Sequence, residues 1–344
     1  MNRTENTSVE PITTANSFSI ELFLSYNEYK AAIFIWKVFP PIMIVFGTIG
    51  NILSIKVLTR RNIRGTNSFV FLTVLAVSDT MVLYSGLLRQ WILYTFEVDI
   101  RHVHPMLCKT NIFFVYFTLQ FSAWLLVLVT FDRVFATWFP HSFIGKVSHW
   151  IPITTASVLA VILIALNAHF FHGFEDLQYQ VGNETIVQSC VRKDNEYRHF
   201  SIEIWPWIDL VVFNLLPFLL LLIGSALIFI KVFQNRKALM TKIAPVSGRL
   251  LSLSKTLIIL NTAFLLLNTP SSIYLAGQTT WYDDINEKKF AVLNLVWAMV
   301  NILTYSNNTI NFLLYCLSGS KFRQELMKIF SQLMSFKKKQ TFNY

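Results

Sequence analysis

Seven long apolar runs separated by polar stretches dominate the chain. They cover residues 32–58, 68–95, 105–136, 150–171, 202–233, 250–276 and 290–318. A bilayer core of about 30 Å takes roughly 20 apolar residues in helix, and each run is long enough. The pattern predicts an all-α protein, a seven-transmembrane-helix bundle. Prolines fall inside the runs at Pro40, Pro41, Pro217 and Pro270. In water they would break a helix, but within a membrane bundle the neighbours satisfy the freed carbonyls and a kink is tolerated. Beyond Ser318, the apolar Phe322, Leu326, Met327, Ile329 and Phe330 recur at helical spacing beside Lys321, Arg323 and Glu325. That spacing predicts a short amphipathic eighth helix on the membrane surface.

Charge sets the orientation. The stretch between runs one and two carries Arg60, Arg61 and Arg64 and no acid. The stretch between runs five and six and the one after run seven are also strongly basic. The alternate stretches are acidic or mixed, with Glu97 and Asp99, then Glu175 and Asp176, then Asp283 and Asp284. By the positive-inside rule the amino terminus is outside and the carboxyl terminus cytoplasmic. The expected layout is an extracellular tail over 1–31, the seven-helix domain over 32–318, and a cytoplasmic helix and tail over 319–344. The sequons at Asn2, Asn6 and Asn183 fall on the outer side and are candidate glycosylation sites. The first 30 residues are polar, so the first run is expected to serve as its own insertion signal.

Composition agrees with a membrane protein. Hydrophobic residues make up 54% of the chain and charged residues 14%, against about 45–50% and 25% in soluble domains. The net charge of +10 sits in short loops, where it reports topology, so nucleic acid is not an expected partner. Three cysteines are too few for a disulfide scaffold and badly spaced for zinc. No metal site and no catalytic residues are expected: the chain lacks G-x-S-x-G, H-E-x-x-H and paired-aspartate motifs.

Polar groups at membrane depth are costly and are functional candidates by default. Asp79 lies mid-run, and Asn51, Ser122, Asn307, Asn308 and Asn311 offer further oxygens. Such a group suits a small cation or a proton, or else a hydrogen-bond network that fixes packing. Asn307 and Asn311 are four apart and share a helix face. Arg89 and Asp209 lie toward the outer ends of their runs, where they either meet a charged ligand group, pair with each other, or snorkel. Asp132 and Arg133, at the inner end of run three, form a cheap local ion pair whose rupture suits a switch. Cys108 and Cys190 both face the oxidising side, and a bridge between them would pin the outer loop over the bundle. Cys316 lies on the other side, as a plain thiol or an acylation site.

Taken in order, the motifs resemble the rhodopsin-like G-protein-coupled receptors over nearly the whole chain. Gly50-Asn51 resembles the first-span pair, and Leu75 to Asp79 resembles the second-span motif with its sodium-site aspartate. Cys108 and Arg133 stand at the family spacing, Asp132-Arg133-Val134 is similar to D-R-Y, and Pro140 matches the second inner loop. Pro217 matches span five, Phe264 and Pro270 match F-x-x-C-W-x-P, Asn311 and Tyr315 match the ends of N-P-x-x-Y, and Phe322 matches the eighth-helix aromatic. The departures are Asn268 for the tryptophan toggle, Phe312 for proline, Ser225 for tyrosine, and Leu250 where some members carry an acid. Ser254, one turn on, is a candidate substitute partner for Arg133.

The resemblance implies a receptor for an extracellular ligand that signals to a heterotrimeric G protein from the plasma membrane. Val115 stands where amine receptors carry aspartate, and Tyr305 where opsins carry the retinal lysine. Asn311-Phe312-Leu313-Leu314-Tyr315 is similar to neuropeptide receptors of FMRFamide-receptor type, so a peptide ligand is the first expectation and a non-peptide small molecule the alternative. A seven-helix transporter or channel would explain the buried polar groups but not the Asp132-Arg133-Val134 triplet or the outer cysteines. The expected ligand residues are Arg89, Gln90, Val115, Asp209, Tyr274, Gln278, Trp297 and Asn301. No cofactor is expected beyond an allosteric sodium ion at Asp79, and membrane lipids surround the bundle. Span six is expected to pivot at Pro270, freeing Arg133 for the G protein.

Overall fold

The computed structural model describes residues 24–60, 67–139, 150–181, 184–240, 248–281 and 286–341. Among them, seven helices are long and apolar enough to cross a membrane. They are α1 (Asn27–Leu58), α2 (Ser68–Phe96), α3 (Pro105–Trp138), α4 (Trp150–Gly173), α5 (Asn195–Gln234), α6 (Gly248–Trp281) and α7 (Glu287–Ser318). An eighth helix, α8 (Ser320–Thr341), follows α7 after Gly319. The seven-helix bundle is as predicted. α5 and α7 start several residues before the apolar runs, because polar caps begin them. Asp194 accepts from the Tyr197 N–H at the start of α5, and Asn286 accepts from the Lys289 N–H at the start of α7.

The apolar residues divide between a shared interior and the lipid. Leu75, Leu125, Val129, Leu221 and Leu260 are buried at the centre, while Phe46, Ile162, Leu266 and Ile273 stay exposed on the outer faces. That two-faced burial is what a bundle in hydrocarbon requires, since lipid replaces water around it. α4 buries the narrowest face, through Pro152, Ala156, Leu163 and Asn167. α1 and α7 approach closely at Gly50, where a Cβ would come within 2.9 Å of the Phe312 side chain. Phe312, the residue in place of the motif proline, thus packs into the notch that Gly50 leaves open.

α2 and α5 do not run as uniform α-helices. α2 contains a π-turn at Leu83–Leu87, and α5 contains π-turns at Phe200–Ile204 and Leu210–Leu215. Such single turns re-aim the side chains that follow them and recur at functional sites. Pro217 comes just after the second α5 π-turn, so its missing N–H falls where the ladder is already irregular.

Between α4 and α5 the chain makes an antiparallel hairpin, β1 (Phe174–Val181) with β2 (Glu184–Arg192). Its register shifts between Glu175 and Leu177, leaving a bulge opposite Asp176. Cys190 sits in that bulge with a φ of 63°, a left-handed backbone that costs energy for a residue with a Cβ. Its N–H donates to Asp176 Oδ1 at 3.0 Å, which helps hold it there. α8 packs Phe322 against Phe312 and Tyr315, and buries Glu325, which pairs with Arg60 at 3.1 Å and Lys328 at 2.6 Å. The amphipathic helix is therefore pinned to the end of α1 by charge as well as by apolar contact.

Candidate functional site

Three polar centres lie along the bundle. The middle one is built on Asp79, which is fully buried. Ser122 Oγ donates to its Oδ1 at 2.6 Å, Asn308 Nδ2 to the same oxygen at 2.7 Å, and Asn311 Nδ2 to Oδ2 at 2.7 Å. α2, α3 and α7 are thus joined through one carboxylate. Asn51 joins them through α1, donating to the Asn308 carbonyl at 3.4 Å. The partner from α7 is Asn308, and Asn307 makes no hydrogen bond to Asp79. Residues three apart on a helix flank one point when that point lies between two turns, so Asn308 and Asn311 take one oxygen each. Asn308 Oδ1 is buried with no partner. A carboxylate, the Ser122 hydroxyl and that orphan amide oxygen make an all-oxygen donor set, which fits a hard monovalent cation.

At the inner end, Arg133 is 2% exposed, and its Nη2 lies 2.6 Å from Asp132 Oδ2. Ser68 Oγ donates to the same carboxylate oxygen, tying α2 to the pair. Arg133 Nη1 is buried with no partner. Ser254 lies on α6, but its side chain is outside the described residues, as are Pro140 and the sequons at Asn2, Asn6 and Asn183.

A polar bridge that the sequence motifs did not mark stands one turn further out, between this pair and Asp79. Asn261 Nδ2 donates to Thr130 Oγ1 at 3.0 Å and to Ser225 Oγ at 2.9 Å, joining α6 to α3 and α5. Its signal in the sequence was an asparagine within an apolar run, at a position that the family motifs do not include. Further out on α6, Asn268 is buried in place of the expected tryptophan, and its Nδ2 donates to the Phe264 carbonyl at 2.9 Å. Ser271 and Ser272 both donate to the Asn268 carbonyl. Pro270 lies between these residues and kept its place inside the helix.

The outer end holds a cavity of about 440 Å³ lined from α2, α3, α5, α6, α7 and the hairpin. Arg89, Gln90, Val115, Asp209, Trp297 and Asn301 line it. Tyr274 does not: it is 2% exposed and packs between Trp281 and Trp297, with ring centroids 5.4 and 5.3 Å away. Its neighbours Ser271 and Leu275 face the cavity instead, because Tyr274 points toward α7. The Gln278 side chain lies outside the described residues. Tyr116, Trp205 and Arg192 also line the space and were not anticipated.

Cys108 of α3 and Cys190 of β2 form a disulfide, which holds the hairpin against α3. Cys190 itself lines the cavity. Arg89 and Asp209 do not pair. Arg89 Nη2 reaches Asp99 Oδ2 at 2.6 Å, and Arg101 Nη2 reaches the same oxygen at 2.7 Å. Asp99 is nearer to Arg89 because α2 ends at Phe96 and turns back through Glu97, in the left-handed region with a φ of 59°. Burial opposes ionisation of Asp99, but hydrogen bonds from the two arginines outweigh it and hold its pKa well below the usual carboxylate range. Asp209 accepts instead from Gln120 Nε2 at 2.9 Å.

A seven-helix membrane bundle with a cavity at one end and a buried ion pair at the other has the architecture of a transmembrane receptor. The family model described as 7 transmembrane receptor (rhodopsin family) matches residues 50–315, and the chain belongs to that family. It is a multi-pass membrane protein. Human CX3C chemokine receptor 1 is 22% identical over 305 residues, covering 87% of this chain and 79% of that receptor. The rat CX3C chemokine receptor 1 is 22% identical over 307 residues, with 87% and 79% covered. The Drosophila melanogaster FMRFamide receptor is 24% identical over 296 residues, with 83% of this chain and 52% of that receptor covered. These relatives are receptors, not enzymes.

Proposed function

We propose that this chain is a plasma-membrane receptor for an extracellular peptide and that it activates a heterotrimeric G protein. The observation that carries the reading is the outer cavity, roofed by a hairpin that the Cys108–Cys190 disulfide ties to α3. Its lining mixes arginines, amides, aromatics and one carboxylate. Peptides present that same mixture of charges, amides and apolar groups. The relatives named for a chemokine and for FMRFamide support the same ligand class. The basic inner stretches support an orientation with the amino terminus outside.

Ligand binding shifts the bundle only if the active arrangement holds the ligand more tightly. In this reading α6 pivots at Pro270, the Asn261 bridge to α3 and α5 breaks, and Arg133 leaves Asp132 to meet the G protein. Asp79, Ser122 and Asn308 would hold a sodium ion, which would supply positive charge favouring the ionised carboxylate and the resting arrangement.

The test is to express the chain in cells and apply a library of amidated neuropeptides, and a second panel of non-peptide compounds, while reading calcium and cyclic AMP. The expected result is a dose-dependent response that Arg133→Ala and Cys190→Ser abolish at equal surface expression. A response confined to non-peptide compounds would replace the peptide with a small molecule. Silence toward both panels at full surface expression would overturn the reading.

A further inference from the structure

The floor of the outer cavity carries a feature that the receptor reading does not itself require. Asp209 lies 14 residues into α5, about 20 Å along the helix at its usual rise, and is 9% exposed. It is the single acid among the described residues lining the cavity. No lysine or arginine lies within ion-pair distance of it among the described residues; the ion pairs of the outer face are taken by Asp99 and Glu203. Its one hydrogen-bond donor is Gln120, which binds Oδ1. A buried carboxylate with a single neutral partner is costly, and such a charge is normally paired.

The surroundings hold that carboxylate in place. Gln120 is fully buried in α3, and its Oε1 accepts from Asn167 Nδ2 of α4 at 2.7 Å. Asn167 Nδ2 also donates to the Leu163 carbonyl at 2.8 Å, which locks its own rotamer. Gln120, itself held by Asn167, therefore orients Asp209 Oδ1, and among the described residues Oδ2 has no hydrogen-bond partner. The adjoining walls are aromatic: Tyr116 and Trp205 stand edge to face at 5.7 Å, and both line the cavity. A carboxylate beside aromatic rings is the chemistry that takes an organic cation.

The arginines of the cavity are placed differently. Arg89 and Arg101 share Asp99 near the mouth, and Arg192 extends from the hairpin to Ser201. The positive charge is at the rim and the negative charge at the floor.

We propose that Asp209 is the anchor of a cation subsite, and that the receptor's ligand enters with a guanidinium or ammonium group foremost. The outer part of that ligand carries hydrogen-bond acceptors, which meet the arginines of the rim. The proposal deepens the receptor reading by assigning ligand chemistry to the same cavity. It does not depend on which G protein, or whether any, is engaged.

The test therefore uses binding alone, on purified full-length receptor in nanodiscs. Thermal unfolding is followed with n-butylguanidinium and with its neutral counterpart n-butylurea. The expected result is saturable stabilisation by the guanidinium compound and none by the urea. Asp209→Asn is expected to weaken the half-saturating concentration about tenfold or more, the scale of a lost charge-assisted hydrogen bond. Asp209→Glu, which keeps the charge, retains preference for the cation and guards against a merely misfolded Asp209→Asn. Equal response to both compounds, or a cation response unaffected by Asp209→Asn, overturns the subsite while leaving the receptor reading intact. Silence toward both peptides and non-peptide compounds in cells, beside a cation response here, would do the reverse.

Discussion

Arg133 and Asp132, adjacent in sequence, are bound to each other: Nη2 lies 2.6 Å from Oδ2. The arginine is almost wholly buried, and the aspartate also accepts from Ser68 of α2. Asp132→Asn removes the charge partner and leaves Arg133 with an uncompensated charge. An ion-pair loss of about 1 kcal/mol shifts a two-state balance roughly fivefold. Basal nucleotide exchange on the G protein is expected to rise by about that factor. Unchanged basal exchange at equal receptor density would show that this pair does not hold the resting state.

Asp79 gathers three donors from α3 and α7, and one orphan oxygen, Asn308 Oδ1, lies beside it. Agonist affinity in wild-type receptor is expected to fall as sodium replaces potassium in the buffer at constant ionic strength. Asp79→Asn is expected to abolish that dependence. A sodium effect that survives the substitution would rule out the ion site and leave the cluster as a packing network.

Among the described residues, Asn261 is the one that joins α6 to both α3 and α5 by side-chain hydrogen bonds in the inner half. Asn261→Leu leaves Ser225 without that donor, whereas Thr130 still donates to the Leu126 carbonyl. The expected cost is about 1–2 kcal/mol in the resting receptor. Thermal unfolding in detergent checks it, with Thr262→Ala, on the exposed side of the same helix, as the neutral comparison.

Asp99 gives a pH signature. Its pKa is depressed by Arg89 and Arg101 against the opposing effect of burial, so its contribution to stability is present above the unfolded value of 3.8. That contribution is lost only as pH falls through the lower folded value. The stability gap between wild type and Asp99→Ala should be constant from neutral pH down to about pH 4 and should close only in stronger acid. A gap that closes near pH 6 would show that another group carries it.

The seven helices were legible because each apolar run must span the membrane, and its length alone fixes the count. Asp79 and Arg133 were legible for a related reason: a charge in such a run stands out. Partner choice was less so. Asn307 and Asn308 are equivalent as letters, and only the rotation of α7 against α2 decides that Asn308 reaches the carboxylate. Arg89 and Asp209 have opposite charges on the outer side, yet the turn after Phe96 brings Asp99 to Arg89 first.

The sequence by itself determined the number of spans, the polar residues within them and the charge asymmetry of the loops. These follow from the cost of placing any side chain in hydrocarbon, which is a property of the residue and its neighbours in the chain. Tertiary structure decided which face each helix turns inward. It put Tyr274 against Trp281 and Trp297 instead of into the cavity, drew Asn261 into a bridge, and gave Asp209 the Gln120 amide and, among the described residues, no cation. The physical reason is that a helix rotation of one residue, about 100°, changes every contact while leaving hydropathy untouched.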